Sequence, residues 1–157
     1  MQEFTIRVES IPDLARRAGQ TFHAARAKIL EEAGETAKKL VDNQIIASGV
    51  NDANGHIRSW QQIHKGSGGG YVAVRPRKSQ AGETLGSTPG AVTNYLNSGH
   101  KTRQPSGHAK RYKPEIRTFR ARAFRFYNTA WEQLVREEQE YAERMERAMQ
   151  QALEAIR

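Results

Sequence analysis

Between Leu14 and Ile45 one apolar stripe recurs at the helical period, and a single long helix is the architecture that uses it. Leu14, Ala18, Phe22, Ala25, Ile29, Ala33, Ala37, Leu40 and Ile45 are three or four residues apart, five at the last step, so they share one narrow face. The alanines in that stripe let another element come close. Ser10, Pro12 and Asp13 supply the hydroxyl cap, first-turn proline and carboxylate of a helix start, and the helix is expected to run to about Ala47. Ser48 and Gly49 then supply the stop. Gly34 lies inside and weakens the helix by about 1 kcal/mol relative to alanine, so it marks a bend or a tight contact.

A second helical pattern closes the chain. From Phe124 to Ile156 a heptad reading puts Phe124, Trp131, Glu138, Met145 and Ala152 on one seam position and Tyr127, Leu134, Tyr141, Ala148 and Ala155 on the other. Val135, Ala142, Met149 and Ile156 widen the stripe. The bulky residues of the first half are expected to pack on a sheet. The thinner distal half, dense in Glu and Arg, is expected to project or meet a neighbour, which makes Leu134, Tyr141, Met145, Met149 and Ile156 the candidate oligomer or partner contacts.

The rest reads as short strands and loops. Phe4, Ile6 and Val8 alternate with Thr5, Arg7 and Glu9, the period of a strand with one buried face. Residues 57–64 and 71–75 read as a β-hairpin whose tip is Gly66, Ser67, Gly68, Gly69 and Gly70. Residues 79–90 fit neither periodicity and read as a loop that orders on assembly; 91–96 suit a short helical turn. Residues 97–114 form a second long loop, and Ile116, Thr118 and Arg120 a short last strand. The expected fold is α+β: a small antiparallel or mixed sheet against a long N-terminal helix, with a long C-terminal helix and two long loops. All 157 residues form one domain, with strand and helix in 1–49, a basic sheet and loop region in 50–123 and the final helix in 124–157.

Hydrophobic residues make up 37% of the chain, charged residues 27%, and the mean hydropathy is −0.79. One modest core fits that composition, with part of the surface left for partners. The longest apolar run falls far short of the roughly 20 residues that span a bilayer, and the start lacks a signal-peptide core, so no membrane association is expected. Without cysteine there is no disulfide framework, thiolate nucleophile or cysteine metal site.

Charge is regional. Residues 53–113 hold ten basic residues and one acidic residue, Glu83, a net of +9 against +8 for the whole chain. Such a field suits a sequence-independent contact with nucleic acid, or an assembly face that meets acidic neighbours. The candidate DNA-facing residues are Arg75, Arg77, Lys78, Lys101, Arg103, Lys110, Arg111 and Lys113. Trp60, Tyr71, Tyr95 and Tyr112 are the few aromatics interleaved with them, and no base-reading motif is present. The five histidines show no i, i+4 ligand pair, though His100 and His108 sit where phosphate contacts would be made. The glycine run lacks the Gly-Lys-Ser/Thr of a phosphate loop, no Gly-x-Ser-x-Gly is present, and the middle section is nearly free of carboxylates. No catalytic residue, cofactor or metal is expected.

The order of pieces carries a resemblance. A long amphipathic helix is followed by Gly55-His56-Ile57-Arg58-Ser59-Trp60 leading into a hairpin, then by Tyr95-Leu96-Asn97-Ser98-Gly99-His100-Lys101-Thr102-Arg103, then by Ala121-Arg122-Ala123-Phe124 opening the final helix. This arrangement resembles the minor tail, tail-completion proteins of siphophages and related prophages. Their pattern has leucine where Ile57 stands, an acidic residue at Asn97 and proline at Ala123. The resemblance implies a non-enzymatic virion protein of the phage neck, made in the host cytoplasm and assembled as a ring, a hexamer being one option. Its partners would be head-closure and tail-terminator proteins, with non-specific contact to the DNA in the lumen. A small basic nucleic-acid-binding protein is the alternative.

Overall fold

A computed structural model describes residues 11–84, 86–101 and 120–155. Its elements are α1 (Ile11–Ala47), α2 (His56–Trp60), β1 (Gln61–Lys65), β2 (Val72–Pro76), α3 (Pro89–Ser98) and α4 (Phe126–Glu154). The fold is α+β, with a two-stranded antiparallel sheet and two long helices. The expected first strand at residues 4–8 lies outside the described residues, as do Ile116 and Thr118 of the last one.

The 37 residues of α1 make a rod about 55 Å long at 1.5 Å per residue. It ends as the sequence suggests: the Ser48 hydroxyl donates to the Ile45 carbonyl at 2.8 Å, and Gly49 takes φ +76°. α4 runs antiparallel beside it. Gln44 bonds Gln133, Tyr141 bonds Thr36, and Arg144 pairs with Glu32, so positions falling along one helix rise along the other.

The distal half of α4 is expected from its sequence pattern to project or to meet a neighbour, and that pairing removes the first of these. Ala148 and Ala152 are buried, as is Ala18 on α1, because small side chains let the two backbones approach along their length. The heptad reading also misplaces the proximal seam: Phe126 and Ala130 are buried there, while Trp131 is 63% exposed. A strict seven-residue repeat drifts by about 20° per heptad from a straight helix. Labels that suit Ala148 and Ala152 therefore slip by one residue three heptads earlier.

The hairpin packs across α1 at Gly34. A Cβ there would stand 3.0 Å from Ile63 Cγ2 and 3.6 Å from Val72 Cβ, so Gly34 marks a close contact between helix and sheet. The strands pair Gln61 with Pro76, Ile63 with Val74 and Lys65 with Val72. Ile63 and Val72 thus face α1, and Gln62, His64, Ala73 and Arg75 take the opposite face.

The expected strand at 57–64 is half helix. Asp52 accepts from the amides of Ile57 (2.8 Å) and Arg58 (3.3 Å), which caps the turn α2. Strand geometry begins only at Gln61. The loop at 79–90 is likewise shorter than expected, because Thr88 accepts from the Ala91 amide and Pro89 opens α3. α3 therefore takes in both ends of the 91–96 turn, including Asn97 and Ser98 from the second expected loop. Of the last expected strand, Arg120 is described, in an isolated bridge to Lys101.

α3 and α4 are tied end to end. The amides of Phe124 and Arg125 donate to Leu96 and Asn97 carbonyls, and the Asn97 side chain accepts from the Tyr127 amide at 2.9 Å. Asn97 thereby caps α4, which begins at Phe126 and not at Phe124. Gly99 permits this return: at φ +69° a Cβ would lie 2.6 Å from the Ala121 carbonyl oxygen.

The core gathers Val41, Ile45, Val50, Ile57, Phe126 and Ala130, flanked by Leu40, Trp60, Val74, Leu96, Phe124 and Tyr127. Inside it Gln61 is 1% exposed. Its amide donates to the Ile57 carbonyl at 2.7 Å and to Thr93 Oγ1 at 3.4 Å, and its oxygen accepts from the Tyr127 hydroxyl. One buried side chain thus joins α2, α3 and α4. No helix among the described residues is long and apolar enough to cross a membrane.

Candidate assembly and nucleic-acid surfaces

The described basic residues divide into paired and free. Arg58 bonds Asp52 at 2.9 Å, Lys65 bonds Glu31 at 3.0 Å, and Arg77 bonds Glu83 at 2.7 Å. Each holds a loop or strand to its neighbour. The Gln80 amide and the Arg77 guanidinium hold the Glu83 carboxyl below its ordinary range, so the single acid of the basic section is spent on Arg77. Arg77 accordingly braces the turn after β2 and is half-buried.

Arg75, Lys78 and Lys101 are exposed, with no ion pair among the described residues. The first two border a groove of about 450 Å³ on the outer face of the hairpin, shared with Gln62, His64 and Gln80. Two free cations beside amide and imidazole groups can take an anionic backbone by charge and hydrogen bonds, without reading bases. Arg103, Lys110, Arg111 and Lys113 lie outside the described residues, so this grouping concerns Arg75 and Lys78. His100 lies against the Tyr95 ring at 5.1 Å. No cluster of three or more possible metal ligands occurs among the described residues.

The candidate partner contacts also divide. Tyr141 is half-buried, with its hydroxyl on Thr36 at 3.1 Å and the Arg144 guanidinium 5.6 Å over its ring. Arg144 in turn donates to Glu32, and that hydrogen bond is the main cause holding the Glu32 carboxyl below its usual value. Leu134 and Met145 are half-buried; Met149 is 53% exposed beside Leu153. Ile156 lies outside the described residues.

Two apolar grooves flank Trp131. One, of about 240 Å³, lies between α1, β2 and α4 and is lined by Val41, Val74, Tyr127 and Leu134 among others. The second, of about 180 Å³, adds Ala33, Val135 and Tyr141. At the far end of the helix pair Phe22, Met149 and Leu153 border a third, of about 270 Å³. The sequence pattern placed Trp131 and Val135 within a buried stripe and missed this outward face. Its signal is a stripe on α4 wider than one partner helix can cover.

Comparison with known protein families, curated proteins and solved structures gave no significant match.

Proposed function

We propose that the chain is a structural assembly protein of a tailed-phage neck, acting as a ring that completes the tail and joins it to the head. The observation that supports assembly is the imbalance of apolar surface. Among the described residues ten hydrophobic ones are buried, four of them alanine, while Ile46, Tyr71, Tyr95, Trp131, Val135, Met149 and Leu153 are each at least 42% exposed. Faces of this kind on helices already paired with each other suit a further protein partner. Head-to-tail contacts between different faces close into rings. The phage assignment rests on the order of sequence segments, and the free Arg75, Lys78 and Lys101 suit a surface that faces passing DNA.

Light scattering of the purified chain, alone and with tail tubes, tests the reading, followed by negative-stain imaging of tube ends. Rings, or added density at the head-proximal end of the tube, are the expected result. A monomer that ignores tubes and binds duplex DNA with a steep salt dependence would replace it with the nucleic-acid-binding alternative. Charge reversal of Arg75, Lys78 and Lys101 should lower DNA retention in joined particles; normal infectivity would remove DNA from the role of this surface.

A further inference from the structure

Among the described residues β2 pairs with β1 alone, and an apolar groove lies beside its other edge. The Gly66 amide donates to the Tyr71 carbonyl and the Arg77 amide to the Trp60 carbonyl, so Tyr71, Ala73, Arg75 and Arg77 turn their backbone groups toward β1. The alternation of an antiparallel pair then points the N–H and C=O of Val72 and Val74 the other way. On that side lies the 240 Å³ groove, lined by three consecutive β2 residues and by none of β1. Trp131 stands at its rim, 63% exposed. A two-stranded sheet with an open edge is a template for a further strand.

The chain carries a segment of matching pattern. Phe4, Ile6 and Val8 alternate with Thr5, Arg7 and Glu9. Added beside β2, such a strand sets its three apolar side chains in line with Val72 and Val74, over the groove, and its polar ones beside Ala73 and Arg75 on the outer face.

That segment cannot serve its own sheet. It precedes α1, whose first residue, Ile11, is 26 residues before groove-lining Ala37, a distance of about 39 Å at 1.5 Å per residue. α4 lies along the same stretch, with Ala152 near the Ala18 end, so the helix does not fold back. Fully extended, the seven residues from Phe4 to Ile11 span at most about 25 Å. Seven residues cannot bridge that distance within one copy.

We propose that residues 4–8 of one copy add as a third strand to the free β2 edge of a second copy and close its groove. Donor end and acceptor groove are different surfaces, so the contact is head-to-tail and leaves each copy with one of each to offer. The proposal requires that copies of the chain meet, and does not require that they meet in a phage neck.

The absence of cysteine makes the test direct. One chain carries Ala73→Cys and a second, with a different tag, carries Thr5→Cys, Arg7→Cys or Glu9→Cys in turn. Oxidation of each mixture should give, for at least one of the three, a disulfide-linked species bearing both tags. With both cysteines on one chain the product should be a ladder of linked copies. Ile6→Asp in the full chain should abolish the link and shift the mass in solution toward that of a single copy. An internally closed monomer, no link from any of the three positions, or unchanged self-association of Ile6→Asp would overturn the proposal. A chain that links in this way and still ignores tail tubes would retain the strand exchange and remove the neck assignment.

Discussion

Tyr127→Phe isolates the polar knot that joins three helices. The Tyr127 hydroxyl donates to Gln61 Oε1, and at 1% exposure Gln61 has no water to replace it. Leaving a buried acceptor unpaired costs about 1–3 kcal/mol, so roughly 2 kcal/mol should be lost at pH 7. A small domain has only about 5–15 kcal/mol in total. The same phenol makes the loss depend on pH. Burial first, and the Asp42 carboxylate second, push its pKa well above the ordinary value near 10. The fold therefore holds the neutral form. Its contribution is complete below about pH 10, where the unfolded chain's tyrosine titrates, and declines above that at about 1.4 kcal/mol per pH unit. By pH 10.5 the wild type should have lost about 0.8 kcal/mol that Tyr127→Phe never had, which narrows the gap between them to roughly 1.2 kcal/mol. Urea titrations of both chains at pH 7 and 10.5, followed by circular dichroism, measure the two gaps. A gap near zero at pH 7, or one equal at both pH values, would refute the reasoning.

Three further substitutions probe how the pieces are held. Gly34→Leu puts carbon where Ile63 and Val72 already approach to 3.0 and 3.6 Å; overpacking of this kind should cost about 1–3 kcal/mol, seen as a lower urea midpoint. Asn97→Ala removes the cap on the Tyr127 amide and should cost about 1 kcal/mol, whereas Asn97→Asp keeps the acceptor, adds a charge at the α4 N-terminus and should match or exceed wild type by thermal melting. Burial raises the Asp52 pKa, but hydrogen bonds from the Ile57 amide and from the side chain and amide of Arg58 together outweigh it and leave the carboxyl below its ordinary value. That contribution is present above about pH 4 and is lost as pH falls further; Asp52→Ala should destabilise at pH 7 and show a flatter acid limb in a pH series.

Much of the local structure was legible because its causes are local. α1 runs from Ile11 to the Ser48–Gly49 stop, since the stop signal, the apolar stripe and i→i−4 bonding are all local to the segment. The hairpin was legible from its β-branched residues and glycine tip, and Gly34 from its misfit inside a helix. α2 was not, because its cap is Asp52, a side chain that precedes the strand-like pattern and reaches past the left-handed Gly55. The full length of α3 was missed for a related reason: its C-terminal carbonyls are satisfied by the chain returning before α4.

By itself the sequence determined the α+β class, two long helices, the hairpin and the regional excess of positive charge, because periodicity, capping and composition are properties of neighbours in the chain. Tertiary structure decided which cations are paired, with Arg77 spent on Glu83 while Arg75 and Lys78 have no ion pair among the described residues. It also decided that Ala130 and not Trp131 faces α1, and that the thin distal face of α4 is covered by the alanines of α1. The last two outcomes depend on how far apart the two helix axes settle, and side chains distant in sequence set that spacing.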